Sequence, residues 1–201
     1  QVKRVRQWFW QSGFTERYRG ASEHYVSRDI SSIEDFIASG KAPSVPFDPV
    51  PSVKSIASTQ FRSNNSKSRA FILLLAKAAP HNLTNGAAID VGTALSSFNK
   101  KQFHHIYPKA YLRGSEEGSD ENCIPNICML SAAENNAVSD SDPKEYIPAA
   151  LANHGREAEK VLRTNVMPIG FDYGTKKFGD FVDARSALLH KRIEELCRGD
   201  A

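Results

Sequence analysis

The stretch FHHIYPKAYL, Phe103 to Leu112, places two adjacent histidines, His104 and His105, ahead of an apolar pair and Pro108. Histidine titrates near neutrality, so it can take or give a proton at physiological pH, and its neutral ring binds metal ions. Downstream lie Asn126 and, nine residues later, Asn135. An amide side chain can donate and accept hydrogen bonds at once. Lys100 and Lys101 precede the histidines, and Lys109 and Arg113 follow them. Basic side chains so placed are suited to phosphate, although each alone also reads as part of a solvated face. Bland readings exist for the others too: half-buried strand histidines, a strand-edge amide, a helix-surface amide, or a zinc site shared with Cys123 and Cys128. The coincidence of all four is what points to chemistry.

Local patterns predict the elements that would gather these residues. FNKKQFHHI nearly alternates bulky and polar residues, which predicts a strand ending at the histidines, and CIPNICML (Cys123 to Leu130) predicts a second strand holding Asn126. The acidic, glycine-bearing RGSEEGSDEN joins them. Ser131 with Glu134 forms a capping box, so Asn135 falls in the first turns of a helix. A hairpin packed on that helix would bring the four side chains together. Asp142 and Pro143 start another helix.

The surroundings read as helical. VKRVRQWFWQSGF is too aromatic on one side to be exposed all round. SRDISSIEDFIASG sets Ile30, Ile33, Phe36 and Ile37 on one stripe that stops at Gly40. Four prolines between Lys41 and Pro51 forbid regular structure there. A buried helix is expected over Ser68 to Ala79, with Phe71, Leu74, Leu75 and Ala78 inward, ended by Pro80. HNLTNG is a turn, and a last helix over Phe178 to Cys197 carries Phe178, Phe181, Leu188, Ile193 and Leu196. Arg185 on that helix is expected either to join the phosphate-binding group or to pair with Asp183 or Glu194. His24, His81, His154 and His190 are expected to be surface or capping residues.

Composition limits the options. The 201 residues are 40% apolar and 24% charged, ordinary for a globular chain able to bury a core. No apolar run approaches the roughly 20 residues of a membrane span, and no secretory segment opens the chain, so a cytoplasmic setting with no membrane partner is expected. Three cysteines without a CxxC pair are expected to be reduced core thiols. The net charge of +3 does not by itself announce nucleic acid. The start at Gln1 within a helical pattern suggests a piece of a longer protein.

HHIYPKAYL, IPNICML and SAAENNAVSDSDPKEYI together resemble the HNH (ββα-metal) nuclease motif, in the form found in RNA-guided DNA nucleases and in the C-terminal domains of GmrS/GmrD-type and SspE-type antiphage restriction proteins. The likeness covers about Phe98 to Ile147. A weaker likeness to the restriction proteins runs through WFWQSGFTERYRGASEHYVSRDI and FVDARSALLHKRIEEL. The resemblance implies a mostly α fold with a small ββα-metal (HNH) core, in the α+β class. Residues 1–92 would form a helical part packed on the core, 93–155 the nuclease motif, and 156–201 a C-terminal helical part, all in one compact domain.

The same resemblance implies a bacterial DNA endonuclease, a nicking effector of antiphage defence. Target choice would lie in an N-terminal sensor domain outside this chain. His105 would be the general base, His104 and Asn135 the ligands of one divalent ion (Mg²⁺ or Mn²⁺), and Asn126 the residue that fixes the loop. Lys100, Lys101, Lys109 and Arg113 would bind the DNA backbone with little sequence specificity. A base must be neutral and oriented by an acceptor for its other ring N–H, for which a backbone carbonyl of the facing strand is expected. Many relatives carry an acidic ligand where this chain has His104. A neutral His/Asn pair attracts Mg²⁺ weakly, and imidazole suits Mn²⁺ and later metals better. The opposing class is an inactive module on the same fold that grips nucleic acid or a partner domain.

Overall fold

The computed structural model describes residues 2–20, 22–40, 47–96, 103–114, 120–130, 138 and 141–200. They are mostly helical, with one small antiparallel two-stranded sheet. In chain order the helices are α1 (Val2–Phe14), α2 (Ser22–Ser39), α3 (Val53–Ser58), α4 (Ser66–Lys77) and α5 (Val91–Ser96). Then come β1 (Phe103–His105), α6 (Lys109–Gly114), a 3-10 turn (Ile124–Asn126) and β2 (Ile127–Met129). The chain continues with α7 (Pro143–His154), a second 3-10 turn (Gly155–Glu157), α8 (Ala158–Thr164) and α9 (Phe178–Arg198).

Caps set several of these bounds. Asn65 accepts from the Ser68 amide, so α4 starts two residues earlier than expected and Ala78 becomes its C-cap. Asp142 accepts from the Lys144 amide with Pro143 in the first turn, as its sequence predicts. Gly40, φ +70°, follows the end of α2, and Gly199, φ +72°, that of α9, where the left-handed conformation suits glycine. Gly13 permits a close helix crossing: a Cβ there would lie 2.9 Å from the Cβ of Ala70.

The sheet separates two apolar clusters. β1 pairs β2 in the register Phe103↔Met129, His104↔Cys128 and His105↔Ile127. Ile127 and Met129 join Phe14, Phe71, Leu75, Leu189 and Ile193 on one side. Cys128 joins Tyr107, Ile147, Phe178 and Phe181 on the other. Full burial of a Phe or Leu is worth about 1.5–3 kcal/mol, so these clusters hold the short hairpin, which in isolation would be marginal. Cys123, Cys128 and Cys197 are free, buried thiols, with burial pushing Cys128 up to about 12.

Three expectations need correction. On the stripe proposed for α2 only Phe36 is buried, while Ile30 and Ile37 are 50% and 62% exposed. The buried residue that anchors this helix is Asp29, gripped through two guanidinium nitrogens by Arg17 and bonded also by Tyr18 and Trp8. The first half of the expected second strand is a 3-10 turn, because Pro125 has no N–H to give a ladder. In α9 the inward residue is Leu189, and Leu188 is 37% exposed.

Candidate functional site

His104 and His105 close β1, and the residues after them pin the strand end. Ile106 and Tyr107 are fully buried, and the Tyr107 ring lies 5.0 Å from Phe178 and 4.9 Å from Phe181. The Tyr146 hydroxyl of α7 donates to the Ile106 carbonyl. Pro108 then leads into α6.

Strand alternation turns the two histidines to opposite faces. His104, opposite Cys128, is 9% exposed, while His105 is half-buried. The His105 Nε2 lies 3.1 Å from the Asn122 Oδ1. An amide oxygen only accepts, so this bond requires the Nε2–H tautomer and leaves the Nδ1 lone pair available. Burial pulls the His105 pKa below the ordinary imidazole value. The Asn122 bond and the Glu121 charge act the other way and do not reverse it, and Lys109 adds to the lowering. The ring is therefore neutral and held by one edge. The acceptor is this side chain, not the facing-strand carbonyl expected from sequence.

Asn126 lies in the 3-10 turn just before β2, fully buried. Its Oδ1 accepts from the Tyr107 amide at 2.8 Å, and its Nδ2 donates to the carbonyls of Tyr107 at 3.0 Å and Glu121 at 2.9 Å. Its own carbonyl accepts from the Ile106 amide at 2.8 Å. One side chain thus ties the end of β1 to the segment carrying Asn122. On the far side, the Phe61 amide donates to the Asn122 carbonyl at 2.8 Å.

Lys109 and Arg113 are already engaged. Glu121 pairs with Arg113 at 2.7 Å and with Lys109 at 3.7 Å, and the Arg113 ion pair holds the Glu121 carboxyl below its usual range. Lys100, Lys101 and Asn135 lie outside the described residues, as do the Ser131 cap and Glu134. Among the described residues no three His, Cys, Asp or Glu side chains gather as a metal site.

Arg185 neither binds at the surface nor pairs with Asp183 or Glu194. It is fully buried and donates to the carbonyls of Pro125, Ile127, Asn165 and Val166. Burial lowers its pKa to about 10. Two of the other histidines also have partners: His154 Nε2 lies 2.9 Å from the Leu83 carbonyl, and His190 Nδ1 2.9 Å from that of Pro51. Sequence reasoning missed Asn122 and the cage around Arg185. An asparagine one residue before Cys123 in an acidic loop carries no local signal that it meets a histidine across a hairpin.

No family model matches the chain, and no solved structure matches it. It is similar to an uncharacterized protein of Methanocaldococcus jannaschii, with 22% identity over 229 aligned positions. The match covers 97% of this chain and 37% of that relative, so the chain spans well under half of the relative's length. No helix among the described residues is long and apolar enough to cross a membrane.

Proposed function

We propose that the chain is a metal-dependent HNH endonuclease domain that hydrolyses phosphodiester bonds in DNA one strand at a time, as an effector of antiphage restriction. The observation that carries this reading is the His105–Asn122 bond, which holds the imidazole by its Nε2 edge and leaves Nδ1 as the basic ring nitrogen. From Nδ1, His105 takes the proton of the attacking water. Asn126 keeps the strand end and the Asn122 segment in register while that proton moves. Lys109 and Arg113, on exchanging Glu121 for phosphate, hold the DNA backbone with Lys100 and Lys101. The restriction role comes from the sequence resemblance alone.

The donor chemistry fits an open rather than a closed metal site. Of the expected pair, His104 is 9% exposed on the face opposite His105; with an imidazole from it and an amide oxygen from Asn135, phosphate and water would have to complete the shell. Held by His104 and Asn135, Mg²⁺ or Mn²⁺ would stabilise charge on the leaving oxygen.

Supercoiled plasmid incubated with Mn²⁺ or Mg²⁺ tests the reading. One site addresses one phosphodiester, so open circle is expected first and linear product late. His105→Ala is expected to slow nicking about a hundred- to ten-thousandfold while folding and DNA binding persist. A folded variant nicking at the parental rate removes His105 as base. A parent that binds DNA and never nicks it is instead a binding module.

A further inference from the structure

A buried guanidinium with no carboxylate is an uncommon core residue, because desolvating a charge is costly unless its donors are satisfied. Among the described residues no Asp or Glu pairs with Arg185. Its donors go instead to four backbone carbonyls: Nη1 to Pro125 at 2.7 Å and Ile127 at 2.9 Å, Nη2 to Asn165 at 2.8 Å, and Nε to Val166 at 3.1 Å. The first two carbonyls flank Asn126. The last two belong to the segment after α8, where Val166, a β-branched residue, sits at φ +51°. The fork of Arg185 therefore clamps two chain segments that share no strand or helix.

We propose that Arg185 is a positioning residue for the candidate site, fixing through the Pro125 and Ile127 carbonyls the turn in which Asn126 ties Tyr107 to Glu121, and hence where Asn122 meets His105. The path is continuous in hydrogen bonds and covalent neighbours. Arg185 holds the carbonyls on both sides of Asn126, and the Asn126 side chain holds Tyr107 and the Glu121 carbonyl. Asn122, next in the chain, holds His105. Arg185 itself is 0% exposed, so DNA bound at the surface does not reach it. A lysine has one nitrogen and cannot reach both segments in the planar fork geometry. Retaining the charge is then not enough.

The effect on catalysis rests on the proposed nuclease reading, but the positioning of His105 does not, and the experiment separates the two. Arg185→Lys and Arg185→Met are compared with Leu189→Ala, a buried residue of the same helix, by melting, by the ring-nitrogen NMR shifts of His105 at a pH where the ring is neutral, and by exchange of the Asn126 side-chain amide. In the parent, His105 is expected as the Nε2–H tautomer, and couplings across the hydrogen bonds from Arg185 to the Pro125 and Ile127 carbonyls are expected. In the Arg185 variants, His105 should divide between tautomers, and Asn126 amide exchange should quicken about tenfold, the weight of one lost hydrogen bond. Leu189→Ala should leave the His105 tautomer unchanged and quicken Asn126 exchange by no more than its measured loss of stability predicts.

If the parent nicks DNA, Arg185→Lys should lower kcat about a hundredfold with KM unchanged, the scale expected for a misplaced group. Parental tautomer and exchange in a folded Arg185 variant would overturn the proposal, as would equal disturbance by Leu189→Ala. Missing couplings in the parent would overturn it even if no Arg185 variant folds. A parent that shows the expected NMR signature and cuts nothing leaves Arg185 as the positioner and removes the nuclease reading.

Discussion

The Asn122 side chain holds the His105 ring by its Nε2 edge at 3.1 Å, across a hairpin and 17 residues downstream. That bond selects one tautomer, and tautomer decides which nitrogen can accept a proton.

Asn122→Ala should therefore reduce nicking about tenfold or more, a smaller loss than the roughly hundredfold or more that the general base itself supplies. Asn122→Asp keeps an acceptor and adds a negative charge beside the ring, which raises the His105 pKa. Its nicking should survive at alkaline pH, with the acid limb of the pH–rate profile moved upward relative to the parent. An acid limb that moves downward would show that residue 122 does not face the ring.

His104→Ala and Asn135→Ala are expected to raise the Mn²⁺ or Mg²⁺ concentration giving half-maximal nicking, and Asn136→Ala to raise it less. Metal titrations of the three variants measure this. Equal shifts at the two asparagines would remove the distinction drawn from the nine-residue spacing after Asn126.

Glu121 occupies Arg113 and Lys109, two of the four basic residues assigned to DNA. Glu121→Gln releases both, so DNA should bind more tightly at low salt. The slope of log affinity against log salt should steepen by about 0.9 for each phosphate newly contacted. Lys109→Ala and Arg113→Ala should weaken binding and flatten that slope. Fluorescence anisotropy over a salt series gives both quantities.

Asp29 sets a pH dependence of stability remote from the site. Burial alone would raise its pKa, but hydrogen bonds from Arg17, Tyr18 and Trp8 and the Arg17 charge leave it below the ordinary carboxylate value. A group depressed on folding contributes stability that is full above its unfolded pKa, about 3.9, and is lost as pH falls through its lower folded value. The urea midpoint of the parent should fall in that acid window. Asp29→Asn should cost about 3–5 kcal/mol at neutral pH, the penalty for leaving a buried Arg17 without its carboxylate, and should lack this part of the acid dependence.

Much of the helical scaffold was legible in the chain because caps and stop signals act over a few residues. Asp142 with Pro143, Gly40 after α2 and the burial of Phe71, Leu74 and Leu75 needed only their neighbours in sequence. The place of His104 and His105 at a strand end was legible for the same reason, whereas CIPNICML reads as strand throughout and the 3-10 turn that holds Asn126 was not legible.

What the sequence by itself did not determine are contacts made across the fold. Whether Ile30 and Ile37 or Asp29 faces inward depends on where Arg17 arrives from the preceding turn. Which acceptor holds His105 depends on how the 120–126 segment folds back over β1. The fate of Arg185 depends on carbonyls as far as 60 residues away. A charged residue at helical spacing reads as surface until packing supplies four carbonyl oxygens. Only tertiary structure can gather acceptors from two separate segments around one guanidinium, because satisfying a buried charge is a property of the space around it and not of the residues beside it in the chain.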